Sequence, residues 1–285
     1  MKKLFFLICP IVALLSSCSG FLESDVSKTQ KKNEQEILDY ISRTNLNAKA
    51  STSGSGVYFV VTQANTTGRQ VLAGDEVTFQ YKLSLLDGTL IDSTASSKPI
   101  SLIWGANINI ISGFLEAIFL LKEGESGVFL IPSSQAFGNS ANGKIPANAV
   151  LRLDLKIDKL RTEDQQIDDY IANKKLTLTE KTSTGLRFIS ITKVASGSEL
   201  KAPNVVTVKY TGTLLNDKQF DTGTFDVTIG SGGVIAGFSE AVQKLKLGEK
   251  GRFILPSKIA YGTNGSGTIP PYTPLVFDIE IMAVK

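Results

Sequence analysis

The feature that most constrains this chain is an internal repeat that begins after residue 33. The segment Glu34–Ile41 resembles Asp164–Ile171, at a separation of 130 residues. Further matches follow in the same order: Tyr81 with Tyr210, Asp92 with Asp221, Gly113-Phe114 with Gly237-Phe238, and Gly138 with Gly262. Their separation is 129 residues up to Asp92 and 124 from Gly113 onward, so the first copy carries five extra residues in between. This self-similarity predicts two copies of one folded unit in tandem.

Each copy has the pattern of an α+β domain. Ile and Tyr at helical spacing predict a short helix at residues 34–41 and again at 164–171. Alternating and β-rich segments predict strands, and a longer helix ended by Gly248 lies between them; in copy two these are Val205–Tyr210, Gly251–Leu255 and Leu275–Met282, with a turn near Asn216 and the helix at Ala236–Leu247. We predict an antiparallel twisted sheet wrapped on a short helix, preceded by an extra N-terminal helix. That extra helix has three open roles: packing on its own domain, bridging the copies, or dimerisation.

The N-terminal residues 1–17 have the three-part layout of a secretory signal peptide. Lys2 and Lys3 precede an apolar run ending at Leu15, which is too short to span a bilayer comfortably. The sequence from Leu15 to Cys18 resembles a bacterial lipobox, which implies lipidation of Cys18 and cleavage before it. Several acyl tails give stable anchoring, so we predict a lipid-anchored protein of the bacterial cell envelope. By resemblance to sorting rules, Ser19 favours the outer membrane, facing the periplasm or the cell surface.

The remaining boundaries follow from the repeat and from composition. Residues 18–33 are polar and charged, which favours a flexible tether. The first domain is predicted over residues 34–161 and the second over 162–285, with the boundary in a charged stretch near Arg161–Glu163.

The composition excludes several classes of function. The 285 residues include no histidine, which removes the commonest general base and histidine metal sites. Only Cys9 and Cys18 exist, so neither domain contains a disulfide or a cysteine nucleophile. The net charge of +3 falls to +1 without Lys2 and Lys3, and we therefore expect no nucleic-acid partner. The sequence contains no metal or nucleotide motif, so we predict no cofactor and no metal.

Copy two resembles an FKBP-type peptidyl-prolyl cis-trans isomerase domain from about Gly185 to Lys285. The matching runs keep the order and nearly the spacing of that family; they are Val208–Leu214, Phe220-Asp221, Val234–Phe238, Leu245–Glu249, Ala260–Gly262, Ile269–Pro271 and Leu275–Glu280. The resemblance implies two tandem FKBP-like domains.

An isomerase of this kind needs no histidine. Rotation about an X–Pro bond crosses a barrier of about 18–20 kcal/mol that amide resonance maintains. An apolar pocket weakens this resonance and binds the twisted amide better than either planar isomer, so catalysis is differential binding.

The resemblance assigns site residues in copy two. Asp221 is expected at the pocket rim near the twisting amide, although a turn or cap role for this residue is compatible. The Ile235 backbone N–H and the Tyr261 hydroxyl are the expected donors to substrate carbonyls. The loop from Gly262 to Pro271 would overhang the pocket. The apolar walls and floor are assigned to Tyr210, Phe220, Phe225, Val234, Phe238, Ile269 and Phe277, with Phe238 where many relatives have tryptophan. Phe253 lies outside this pattern and is expected in the core.

Copy one keeps the frame but alters the site. Tyr81, Asp92, Phe114 and Ile145 hold family-like positions. The departures replace three aromatic walls by aliphatic side chains and remove the phenolic donor: Ile91 stands opposite Phe220, Ile100 opposite Phe225, Phe137 opposite Tyr261 and Leu153 opposite Phe277. We therefore expect copy one to be a weak isomerase or a polypeptide-binding module.

The leading interpretation is a prolyl isomerase that acts as a foldase or chaperone on proline-containing polypeptides outside the cytoplasm, with catalysis mainly in copy two. The alternative is a non-catalytic polypeptide-binding scaffold of an envelope complex, because a fold does not determine function. A carbohydrate-binding lipoprotein would show tryptophan platforms and Asp-rich calcium loops, whereas the chain has one tryptophan, Trp104, and no such loop.

Overall fold

The structure is a computed structural model that describes residues 24–95, 98–106, 109–197 and 199–285. The predicted signal peptide, Cys18 and residues 18–23 of the predicted tether lie outside these ranges. Within them, no helix combines the length and the apolar character that a membrane crossing requires.

Two antiparallel sheets, one in each copy, confirm the predicted α+β class. Domain 1 has seven strands in the order β1-β2-β6-β7-β3-β4, with β5 also pairing with β3. Its strands are β1 (Lys49–Ala50), β2 (Tyr58–Gln63), β3 (Glu76–Leu85), β4 (Leu90–Ser93), β5 (Ile100–Ile103), β6 (Ser126–Ile131) and β7 (Leu151–Arg161).

Domain 2 has six strands in the order β11-β10-β13-β12-β9-β8. They are β8 (Glu180–Lys181), β9 (Arg187–Thr192), β10 (Val205–Leu214), β11 (Gln219–Thr228), β12 (Lys250–Leu255) and β13 (Leu275–Val284). One strand, β11, therefore replaces the β4 and β5 pair of domain 1. The five extra residues of copy one lie in the region where β11 is continuous and its counterpart is divided.

Each sheet carries one helix on its inner face and one on its outer face. The inner helices are α2 (Ser112–Leu120) and α4 (Ala236–Gln243), and Phe114 and Phe238 bury their rings in the two main cores. The outer helices are α1 (Asp25–Thr44) and α3 (Glu163–Asn173). Apolar side chains of α1 and α3, among them Ile37 and Ile167, pack on the outer faces of their own sheets. Both extra helices pack on their own domain, and α3 also bridges the copies, because its Gln166 side chain donates to Gly74 O of domain 1.

Two sequence predictions about helices are wrong in their bounds. The flexible tether was predicted up to residue 33, but α1 begins at Asp25, because the Ser24 side chain caps it by accepting from the Ser27 amide. Residues 25–33 are therefore helical and dock through Asn33, which is buried. The helix predicted at Ala236–Leu247 ends at Gln243, and the chain reaches Gly248 (φ +81°) through a turn.

Candidate functional site

Five aromatic rings line one end of the domain 2 core. Tyr210 lies on β10, Phe220 and Phe225 on β11, Phe238 on α4 and Phe277 on β13. The Tyr210 ring meets Phe225 edge-on at 5.4 Å and Phe238 at 5.6 Å between centroids, and Phe238 meets Phe277 at 5.3 Å. Phe220 packs edge-on against Phe277 at 5.6 Å. The structure thus brings together all five aromatic residues predicted for the pocket.

The five aromatic side chains differ in burial, which defines a floor and a rim of the site. Phe238 and Phe277 are buried, whereas Tyr210 and Phe220 are half-buried and Phe225 is exposed. The edge-on contacts are favourable for aromatic pairs and fix the rings against each other.

A polar pair stands at the rim. The Tyr210 hydroxyl donates to Asp221 Oδ2 at 2.6 Å, and the Thr222 backbone N–H donates to Asp221 Oδ1 at 2.9 Å. Burial, then the Asp221 hydrogen bond, raises the pKa of Tyr210 to about 12. The hydroxyl is therefore a neutral donor at physiological pH, and both oxygens of Asp221 are oriented by the protein. The turn or cap role weighed for Asp221 is not observed, because Asp221 lies within strand β11 and its carboxylate accepts from the amide of the next strand residue.

Two hydrogen-bond donors point to a binding function because the described residues leave them unpaired. The Ile235 backbone N–H is at the N-cap of α4, where helix amides lack intrahelical partners. The second donor is the hydroxyl of Tyr261, a residue that comes shortly after the 3-10 turn at Ser257–Ile259. No described residue accepts a hydrogen bond from either group. Val234 and Ile269 pack against the same core, as predicted for apolar lining.

Gly212 is a site residue that the sequence analysis missed. It is buried on β10 opposite Phe277, and a Cβ placed there would lie 2.6 Å from the Phe220 ring and 2.9 Å from the Phe277 ring. The glycine therefore makes room for two of the aromatic walls. The signal was present in the repeat, because Leu83 is the matching residue of copy one.

The corresponding site of domain 1 has aliphatic side chains where domain 2 has a glycine and aromatic rings. Strand register places Leu153 opposite Leu83, as Phe277 is opposite Gly212, and Ile100 opposite Phe79, as Phe225 is opposite Val208. Leu83 and Leu153 are buried. They stand at the positions that Gly212 and Phe277 have in domain 2.

The other residues of domain 1 that were predicted for its pocket lie around these aliphatic side chains. Tyr81 meets Phe114 edge-on at 5.1 Å and donates to Asp92 at 2.5 Å. Ile145 is buried, Ile91 and Phe137 are half-buried, and Ile100 is 42% exposed. Phe79, which the sequence analysis did not single out, packs below Phe114 at 5.5 Å. Domain 1 therefore retains the rim pair and apolar lining but lacks the phenol that Tyr261 supplies.

Phe253, predicted as core, is fully buried beside Phe277 on the neighbouring strand, and its ring stacks on Phe188 at 4.8 Å.

The family model of FKBP-type peptidyl-prolyl cis-trans isomerase matches residues 67–158 and 197–282. These two matches cover more than half of the chain and one falls in each domain. The chain belongs to the family of FKBP-type peptidyl-prolyl cis-trans isomerases.

Three curated relatives illustrate how the likeness is distributed. The FKBP-type isomerase FkpA of Aeromonas hydrophila is 38% identical over 135 residues, covering 46% of this chain and 50% of the relative. The isomerase FKBP9 of Homo sapiens is 31% identical over 226 residues, covering 75% of this chain and 35% of the relative. FK506-binding protein 1 of Kluyveromyces lactis is 39% identical over 106 residues, covering 34% of this chain and 93% of the relative. The chain thus spans half or less of the length of the first two.

Proposed function

We propose that the chain is a prolyl isomerase whose catalysis resides mainly in domain 2. The observation that carries this proposal is that five aromatic rings share one core with two donors, Ile235 N–H and Tyr261 Oη, for which the described residues provide no acceptor. A proline ring packs on the aromatic floor, and the donors bind the flanking carbonyls of the substrate. Because the pocket excludes water, it weakens amide resonance and favours the twisted amide.

Asp221 has a fixed place in this scheme. The Tyr210 hydroxyl and the Thr222 amide hold its carboxylate at the rim, where it faces the bond that rotates. The charge acts on the polarisation of the amide as it twists, which is electrostatic stabilisation of the transition state. No bond to the enzyme forms, so the absence of histidine from the chain is consistent with the chemistry.

The activity test uses a soluble chain that begins at Ser19 and keeps both domains. We expect it to accelerate cis–trans isomerisation of a Leu-Pro or Phe-Pro tetrapeptide. Asp221→Ala should lower kcat/KM by at least roughly tenfold, the factor for losing one charged interaction. The repeat offers a matched control, because Asp92→Ala removes the same Tyr–Asp bond in domain 1 and should leave kcat/KM unchanged. A folded chain without activity, or an equal loss in both variants, would refute the proposal.

We also propose where the protein acts. The chain is lipidated on Cys18 and anchored in the bacterial envelope. There it acts as a foldase on extracytoplasmic polypeptides. The LSSC sequence ending at Cys18 and the apolar run before it support this. Cys18→Ser should move the chain from the membrane fraction to the soluble fraction of a bacterial host and abolish labelling by a fatty acid. The matched control is Cys9→Ser, which should remain membrane-bound and labelled once the signal peptide has been removed. Membrane association that survives Cys18→Ser would contradict the anchor.

For domain 1 we propose polypeptide binding with little catalysis. The retained Tyr81–Asp92 pair and apolar lining favour binding, whereas Phe137 removes a donor whose net value is on the order of 1 kcal/mol, or about fivefold in rate. Chemical-shift changes at Tyr81 on addition of a proline peptide to the Asp221→Ala chain would support this, and a silent domain 1 would contradict it.

A further inference from the structure

Tyr272 of domain 2 contacts domain 1. It follows Pro271 at the end of the pocket loop, yet its ring lies against Gly74 and Gly105. A Cβ placed on Gly105 would be 3.0 Å from ring atom Cε2, and one on Gly74 would be 3.2 Å from Cδ1. Both glycines have a positive φ, +88° at Gly105 and +86° at Gly74. The tyrosine ring therefore lies directly on bare backbone, with no room for a side chain in between.

Hydrogen bonds fix the backbone of domain 1 on which the Tyr272 ring packs. The Gly74 N–H donates to Trp104 O at 2.8 Å, and the Trp104 N–H donates to Asp75 O at 2.7 Å, which ties the two glycine segments together. The Gln166 side chain of α3 donates to Gly74 O at 3.2 Å. Because these hydrogen bonds fix the backbone at Gly74 and Gly105, they constrain the position of the Tyr272 ring that packs on it.

The other end of Tyr272 reaches the turn that carries Tyr261. The Tyr272 N–H donates to Gly262 O at 2.9 Å, and the Gly262 N–H donates to Ser257 O at 2.8 Å. Gly262 directly follows Tyr261 in the chain. Tyr261 is thus linked to domain 1 through one peptide bond to Gly262, one hydrogen bond from Gly262 to Tyr272, and the packing of the Tyr272 ring.

The repeat shows that the aromatic ring, and not the backbone, is particular to domain 2. Asn148 is the matching residue of domain 1, with φ +60° against +56° for Tyr272, and its N–H donates to Gly138 O at 2.8 Å. Asparagine tolerates this left-handed conformation, whereas a bulky side chain is rarely found there. Domain 2 therefore places a less suitable residue in the same backbone, and the ring makes the contact with domain 1.

We propose that domain 1 positions the Tyr261 donor of domain 2 through Tyr272, which is a positioning residue of the isomerase site. This inference rests on the proposed function of domain 2. It assigns to domain 1 a role that is independent of turnover in its own pocket, namely to position the pocket loop of domain 2.

The test is a double-mutant cycle in the chain that begins at Ser19. Tyr272→Asn introduces the residue that domain 1 has in the same conformation, so the backbone is kept while the contact is lost. We expect kcat/KM to fall about fivefold, the factor for one substrate hydrogen bond, and the same substitution to have no further effect in a Tyr261→Phe background. A merely structural role would give the same fractional loss in both backgrounds. Equal losses, or an unchanged kcat/KM, would overturn the proposal.

A variant in domain 1 approaches the same contact from the other side. Gly105→Asn tolerates the positive φ but displaces the Tyr272 ring, so it should reproduce the fivefold loss and have no added effect in the Tyr272→Asn background. An unchanged kcat/KM for Gly105→Asn would also overturn the proposal.

Hydrogen exchange separates this inference from the proposed function. The amides of residues 257–262 should exchange faster in Tyr272→Asn than in the parent chain, whether or not the parent is an isomerase. An inactive parent would refute the proposed function alone. Unchanged hydrogen exchange at residues 257–262 would refute the proposal that domain 1 positions this turn through Tyr272.

Discussion

The Tyr–Asp pair at the pocket rim occurs in both domains, but its surroundings differ. Tyr210 donates to Asp221 at 2.6 Å and Tyr81 donates to Asp92 at 2.5 Å. Beneath the first pair lies a pocket of aromatic rings beside Gly212, and beneath the second lie Leu83 and Leu153. The hydrogen bond alone therefore does not distinguish the two sites. The distinction arises from the volume and the donors that neighbouring residues provide.

The pH dependence of the rim follows from the pKa of Tyr210. Burial and the Asp221 bond raise this pKa from 10.0 to about 12. The resulting contribution to stability is complete below pH 10.0 and is lost as the pH rises from there to about 12, because the unfolded chain ionises first. An absorbance titration of the parent minus Tyr210→Phe should show one tyrosine with a midpoint near pH 12. A midpoint near 10.0 would contradict the hydrogen-bonded Tyr210–Asp221 pair at the rim.

Gly212 is predicted to be indispensable for the shape of the pocket. Gly212→Ala places a methyl group 2.6 Å from Phe220 and 2.9 Å from Phe277. Such overpacking should lower the free energy of unfolding by about 1–3 kcal/mol and displace both rings, with kcat/KM falling roughly tenfold. Urea unfolding and the peptide assay measure the two effects.

The neighbouring strand offers a matched glycine. A Cβ on Gly223 would lie 3.4 Å from the Tyr210 ring, an ordinary contact. Gly223→Ala should therefore change stability by no more than about 0.5 kcal/mol. Equal effects at Gly212 and Gly223 would show that the close approach to Phe220 and Phe277 is unimportant.

Among the elements, α3 is the one that joins the two domains. It begins two residues after β7 of domain 1 and starts with a capping box, in which Thr162 and Gln165 bond each other's backbone amides. Its side chains then reach both ways. Gln166 donates to Gly74 O in domain 1, and Asp164 and Asp168 accept from the fully buried Arg187 of domain 2.

Glu163, the first residue of α3, anchors the turn that carries Tyr261. Its carboxylate accepts from both the N–H and the hydroxyl of buried Ser257. In domain 1 the Asn33 amide oxygen accepts the same two bonds from Ser133. A neutral amide is therefore sufficient for this contact. Glu163→Gln should keep the turn in place, whereas Glu163→Ala should cost about 1–3 kcal/mol by leaving Ser257 N–H unpaired.

The same pair of variants has a defined pH dependence. Burial raises the pKa of Glu163 above its ordinary 4.5, although the Ser257 bonds act in the opposite direction. A raised pKa gives a contribution to stability that is complete below 4.5 and is lost as the pH rises through the folded value. Denaturant unfolding should therefore show the parent losing stability relative to Glu163→Gln as the pH rises above 4.5. A difference that stays constant with pH would contradict the burial of this carboxylate.

The sequence predicted the elements better than it predicted their ends. The helical spacing of Ile167, Tyr170 and Ile171 and the strand alternation near Val205 predicted α3 and β10, because both signals are local. The helical start at Asp25 was hidden by its polar composition, since the part of α1 before Asn33 is mostly exposed. The role of Gly212 depends on rings that are 8 and 65 residues away in the chain, and the Tyr272 contact depends on how two domains meet. Neither has a local pattern.

For the whole molecule, the repeat gives a division of roles between two copies of one fold. Domain 1 demonstrates that the frame accepts Leu83, Ile91, Phe137 and Leu153 and still buries its core. Domain 2 uses Gly212 and aromatic residues at the same places, which creates the proposed site. Retention of a copy with an altered site is explained if domain 1 supports domain 2 through Tyr272 and binds polypeptide.

The most direct test replaces the pocket residues of domain 2 by those of domain 1, namely Gly212→Leu, Phe220→Ile, Tyr261→Phe and Phe277→Leu in one chain. Because domain 1 folds with this set, the variant should unfold cooperatively like the parent. Its catalysis of a Phe-Pro tetrapeptide should fall by roughly a hundredfold or more, equivalent to about 2.7 kcal/mol of transition-state stabilisation. A folded variant that isomerises the peptide as fast as the parent would contradict the assignment of catalysis to domain 2.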